Sequence, residues 1–155
     1  MRLFRRRSKG HWENNWWRVQ MLAIPEARDE ALMLLADPNA FETVEAESDA
    51  GRFEDWAPEL RAVFGRYQMI HSAIGGGRLS WSEIHPSDAK TGFTAIGSNE
   101  TATVAARPSE DRIYEFDAEG NPPPWLEAPL PSLWHWILWT DYVNRADATG
   151  IAPEQ

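Results

Sequence analysis

The chain has 155 residues, 43% hydrophobic and 25% charged, with nine tryptophans; this suits one domain and excludes a disordered chain. Cysteine is absent, which removes disulfides, thiolate zinc sites, iron–sulfur clusters and cysteine nucleophiles. The net charge is −9, yet Arg2, Arg5, Arg6, Arg7 and Lys9 fall in the first ten positions without one acid, so the remainder sets ten basic groups against twenty-four acidic ones, a net of −14.

A body of that sign repels phosphate and argues against nucleic-acid binding through it. Residues 1–11 read as a basic arm, frayed as chain termini commonly are. The residues after Arg7 are polar, so no apolar run follows the arginines as a signal peptide requires. The longest apolar stretches, such as Ala31 to Ala36, are too short to span a bilayer. These features predict a cytoplasmic protein with no membrane span.

Residues 12–150 read as a single domain, with 151–155 as a tail. Trp16, Val19 and Ile24 fall roughly on one face and suggest a helix over 12–24. A clearer helix runs from Pro25 to Ala36, with Pro25, Glu26 and Asp29 in its first turn. Asp37-Pro38-Asn39 stops it. Residues 42–55 are acidic and loosely patterned: Glu42, Glu45, Glu47, Asp49, Glu54 and Asp55 are offset only by Arg52. Asp55 can cap a helix that Pro58 opens, in which Leu60, Val63, Phe64 and Tyr67 form an apolar stripe.

After Gly65 the period changes to two. Tyr67 to Ile74 reads as a strand, Gly75-Gly76-Gly77 as a hairpin turn, and Leu79 to Ile84 as the returning strand. Further strands are expected at Phe93–Ile96, Thr101–Ala105 and Arg112–Phe116, with Gly97-Ser98-Asn99 and Pro108 to Asp111 as turns. In the last strand Glu115 and Asp117 alternate with Tyr114 and Phe116, as a half-exposed strand should. Pro122-Pro123-Pro124 is a connector. From Pro131 to Arg145, Leu133, Trp134, Ile137, Leu138 and Tyr142 mark one helical stripe that Trp136, Trp139 and Val143 widen. The expected class is α+β: an antiparallel sheet of about four to six strands covered by helices, with a C-terminal Trp-rich helix.

No chemistry-bearing motif stands out. The glycine cluster lacks the Lys-Ser/Thr pair and following helix of a phosphate loop. No Gly-x-Ser-x-Gly occurs. The four histidines include no i, i+4 pair; His71 and His85 could meet across the glycine hairpin with Asp88 nearby, but half-buried strand histidines are the commoner case. No catalytic residue, metal site or cofactor is expected. Trp134, Trp136 and Trp139 fit a core helix, with Trp136 and Trp139 as candidates for partial exposure at a partner surface.

Five pieces resemble the SUKH superfamily. Ala57-Pro58-Glu59-Leu60 through Phe64-Gly65 is similar to its opening Leu-Pro-x-x-Leu helix. Leu79 through Glu83-Ile84 with Pro86 resembles its leucine, Glu-Ile, Pro strand. Phe93 through Ile96-Gly97-Ser98-Asn99 is similar to its Ile-Gly strand and turn. Arg112-Ile113-Tyr114-Glu115-Phe116-Asp117 resembles its Tyr-containing strand. Leu133-Trp134-His135-Trp136-Ile137-Leu138 resembles its closing helix. The likeness covers about residues 55–145.

The resemblance implies an α+β fold without an active site. Many bacterial members of that superfamily act as immunity proteins that bind and block a cognate toxin, often a nuclease; a fungal branch scaffolds cell-wall control. The expected function is therefore non-catalytic binding of a basic toxin domain through an acidic surface. The contact residues expected are Glu42, Glu45, Glu47, Asp49, Glu54 and Asp55 with Trp136 and Trp139. Two alternatives stay open: a small enzyme or ligand-binding domain using the Trp-rich end or a His71/His85 site, and a scaffold or assembly subunit.

Overall fold

Pro25 sits in the first turn of helix α1 (Ile24–Leu35), where its missing N–H costs nothing, and Glu26 faces the positive end of the helix dipole. The helix ends where Asp37 accepts a hydrogen bond from the Asn39 amide at 2.9 Å and turns the chain. The structure is a computed structural model and describes residues 18–46, 55–80, 93–99, 102–121 and 129–148. Before α1, Arg18 to Met21 are helical, and Val19 is buried in the core.

Strand β1 (Phe41–Glu45) overlaps the start of the acidic, loosely patterned stretch, where no element is expected. Its pattern is legible afterwards: Phe41 is buried, and Glu42, Val44 and Glu45 are exposed. Helix α2 (Pro58–Arg66) buries Leu60, Val63 and Phe64. Its cap differs from expectation. Asp55 forms no cap; Asp111, from the turn after the fifth strand, accepts the Glu59 amide at 3.0 Å. Tyr67, expected on the helix stripe, is instead the first residue of β2 (Tyr67–Ser72).

Strands β3 (Arg78–Ser80), β4 (Thr94–Ser98), β5 (Thr103–Ala106) and β6 (Ile113–Phe116) follow. The six pair in sequence order, β1 to β6, and every pairing is antiparallel. Leu130 extends the β6 side by exchanging two 2.9 Å backbone hydrogen bonds with Ile113. The expected α+β class, with a six-stranded antiparallel sheet and a C-terminal helix, is what the structure shows.

That last helix, α3 (Leu133–Ala148), is the centre of the core. Every residue from Leu133 to Asp141 is buried, so the helix has no solvent stripe over its first half. A helix apolar on all sides belongs between layers. Helix α3 touches both α1 and α2, and its apolar residues share one core with Ile70, Leu79, Val104 and Ile113 of the sheet.

The glycine turn between β2 and β3 docks on this helix. A Cβ on Gly75 would sit 2.7 Å from the Asn144 side chain, and one on Gly77 would sit 2.7 Å from the Thr140 methyl, with φ +123° already in the region that favours glycine. Asn144 uses the approach: its Nδ2 donates to the Ser72 Oγ at 2.8 Å and to the Gly76 carbonyl at 2.7 Å. Asn144→Ala therefore strips a buried and a part-buried acceptor of their donor. It is expected to cost about 1–3 kcal/mol, read as a lower urea midpoint with the slope unchanged.

Candidate functional site

Two places on the fold carry chemistry that core packing does not require. The first is the free margin of β1. Main-chain bonding around it is fixed by parity. The Ser72 amide donates to Gly77, on the β3 side, at 2.9 Å, and the Ala73 amide donates back to Ala40 at 2.9 Å. Main-chain groups alternate in direction along a strand. The register pairs Glu42 with His71 and Val44 with Met69, so these pairs bond across the ladder. The N–H and C=O of Thr43 point the other way, off the sheet. Among the described residues no strand pairs with that side. On the sheet face, Glu42 is exposed and Val44, 41% exposed, is one of the few large apolar side chains in water. The strand also bulges between Val44 and Glu45, a common device at sheet margins.

The second place is the carboxyl of Glu115. The alternation of Glu115 with Tyr114 and Phe116 predicts an exposed acid; the structure inverts it. Tyr114 and Phe116 take the face away from α3, stacked on each other and each edge-to-face with Phe93 at 4.8 and 5.0 Å. Arg107 lies over the Phe93 ring at 4.5 Å. Glu115, paired with Val104, turns inward and is 5% exposed. Asn99 donates to it through Nδ2, and the same Asn99 side chain accepts the Ala102 amide at 2.7 Å across the β4–β5 turn. The Trp136 indole N–H, fully buried, faces this carboxyl without a fully formed hydrogen bond. Burial pushes the Glu115 carboxyl up to about 7, and the contacts from Asn99 and Trp136 offset only part of that rise.

A third titratable group is structural. His135 lies buried on α3 with Nδ1 2.6 Å from the Ser132 Oγ and Nε2 2.9 Å from the Leu22 carbonyl. The geometry fits a neutral ring that donates to Leu22 and accepts from Ser132. Burial holds this imidazole below its ordinary value, partly offset by the Leu22 carbonyl. His135 thereby ties α3 to the helical segment ahead of α1.

The expected contact residues separate on the fold. Glu42 and Glu45 are exposed on β1, and Asp55 is exposed ahead of α2. Glu47, Asp49 and Glu54 lie outside the described residues, as do His85 and Asp88. Trp136 and Trp139 correct the expectation of partial exposure: they are 0% and 2% exposed, locked in the core by the all-round burial of α3, and cannot contact a partner. His71 is half-buried between Glu42 and Arg78 in register. Among the described residues no group of three His, Asp or Glu could hold a metal ion. None of the described helices is long and apolar enough to cross a membrane.

Sequence reasoning missed Thr43 and Asn99. Thr43 had a signal in the β-branched pair Thr43-Val44 and the alternation around it. Asn99 had one too, as a turn residue whose amide can bond both its own turn and a neighbour. The chain finds no match among protein-family models, curated proteins or solved structures.

Proposed function

We propose that the chain is a non-catalytic binding protein that neutralises a basic toxin domain, in the manner of SUKH-type immunity proteins. The observation that carries this reading is the margin of β1, where Glu42 and Glu45 flank exposed Val44 beside main-chain groups of Thr43 with which no described strand pairs. Opposite charge on a toxin steers encounter, the apolar residue adds contact, and the open strand margin supplies directional hydrogen bonds. The net charge of −14 outside the first ten residues supports the same sign of partner. Glu115 has the raised pKa of a general acid, but it is enclosed between the sheet and Trp136, and its partners are groups of the fold itself.

The test is a titration of the full chain with basic nuclease-toxin domains, at 50 and 500 mM NaCl, alongside the double variant Glu42→Lys, Glu45→Lys. Binding should weaken about tenfold with the salt and at least as much in the variant. Affinity indifferent to both changes would remove the reading.

A further inference from the structure

Helix α1 buries one side and turns the other to water, and the outward stripe of such a helix is ordinarily polar. Glu26, Asp29 and Met33 share that stripe, three and four residues apart, and all three are exposed. Met33 is 75% exposed, with Asp29 and Glu30 one turn behind it. Met21, on the helical turn ahead of α1, is 80% exposed. Arg18 of that turn reaches Glu30 at 2.7 Å, so Met21 and Met33 each stand three residues on from one end of the same ion pair. Among the described residues these methionines are the most exposed large apolar side chains, and core packing does not require them there.

The charge around them has one sign. Arg28 leaves the stripe for Glu59, 3.4 Å away, and Arg18 offsets Glu30. Among the described residues no cation pairs with Glu26 or Asp29. The unbranched methionine side chain adapts to varied apolar surfaces and is enriched at interfaces. Such a face fits a partner that sets cations beside apolar groups. An anionic bilayer would meet Glu26 and Asp29 with like charge, and so would a second copy that used the same face. A basic amphipathic helix offers both features at the spacing of one turn.

We propose that the outward face of α1, formed by Met33, Glu26 and Asp29 with Met21 across the Arg18–Glu30 pair, docks a basic amphipathic helix of a protein partner. The apolar side of that helix covers the two methionines, and its Lys or Arg side chains meet Glu26 and Asp29. The residues differ from those of the β1 margin. The proposal does not need the toxin reading to be correct, and its test contains no toxin.

The experiment is methyl NMR of the full chain with isotope-labelled methionines. The chain is titrated at about 0.1 M NaCl with a synthetic amphipathic helix of Leu and Lys, about 14 residues long, and with its scrambled isomer of equal charge. The Met21 and Met33 signals should shift and saturate with the amphipathic peptide while that of Met69, on β2, stays in place. The scrambled isomer should bind at least about tenfold more weakly. Glu26→Gln with Asp29→Asn should weaken binding about fivefold, and Met33→Ser, read at Met21, about as much. All three positions are exposed, and unchanged melting reports that the variants fold. Unshifted Met21 and Met33, equal binding of the two isomers, or undiminished binding by these variants overturns the proposal. The variant Glu42→Lys, Glu45→Lys should bind the peptide as the wild type does; loss of binding there moves the site to β1 and overturns the proposal. Signals that move with protein concentration before any peptide is added also overturn it, and give the face to a second copy.

Discussion

Replacing Glu115 with Gln is expected to stabilise the protein at pH 8 by up to about 3 kcal/mol and to leave it nearly unchanged near pH 4.5. The carboxyl prefers its proton in the folded chain, where its pKa is about 7 against the usual 4.5. A raised folded pKa contributes stability that is complete below the unfolded value and is lost as pH rises through the folded value. Above pH 7 the wild type thus keeps an ionised carboxylate inside its core, with Asn99 and Trp136 as the facing groups. Gln has the shape of the protonated acid and retains an acceptor for the Asn99 amide. For a chain of this length the gain corresponds to roughly 5–10 °C in melting temperature at pH 8. Equal or lower melting of the Gln variant at pH 8 would show that the site does not hold a strained charge.

His135 acts with the opposite sign. Its folded pKa is lowered, so its contribution is complete above the unfolded value near 6.5 and is lost as pH falls. In the wild type, acidification therefore relieves Glu115 while it charges the buried His135 ring and removes the Nδ1 acceptor that faces Ser132, and the two effects partly cancel. The Gln variant removes the relief. Its stability should fall more steeply between pH 6.5 and pH 4.5 than that of the wild type, which denaturation midpoints across that range would show.

Both titrations depend on α3, and this bears on what the sequence could reveal. Helices show through their apolar period and their Pro and Gly punctuation, so α1, α2 and α3 are legible within a few residues. The hairpin at Gly75 to Gly77 is legible through turn chemistry. The facing of Glu115 is not, because period two fixes alternation but leaves open which of the two sets turns inward. Tyr114 and Phe116 look like core residues, yet they cluster with Phe93 and Arg107 on the far side of the sheet. The burial of Trp136 and Trp139 follows from layers meeting on all sides of one helix, which a single-face pattern cannot encode. Strand β1 hides because acids at its exposed positions mask the short alternation from Phe41 to Val44, which a bulge then ends. The Asp111 cap on α2 bridges 52 residues of sequence, beyond any local signal.

Gly97→Ala is expected to be the most damaging small substitution in the described fold. The sequence suggests a turn glycine, but Gly97 is in β4, between Leu79 on β3 and Val104 on β5. A Cβ there would meet the Arg78 carbonyl oxygen at 2.0 Å and the Leu79 Cα at 2.9 Å. Both obstacles are backbone, so relief requires that β3 and β4 part and the ladder between them weaken. Interior glycines in strands mark such close approaches. The cost should reach about 3 kcal/mol or more, which lowers the urea midpoint by roughly 1.5 M for a slope near 2 kcal/mol/M. Gly65→Ala provides the matched control. Gly65 lies in the last turn of α2, exposed, with nothing within 4 Å of the added methyl. There the same change reduces backbone freedom in the unfolded chain and should stabilise by about 0.5–1 kcal/mol. Two identical substitutions of opposite sign separate the steric requirement at Gly97 from the general entropy of glycine. If Gly97→Ala melts within 1 °C of the wild type, β3 and β4 do not approach as closely as the ladder places them.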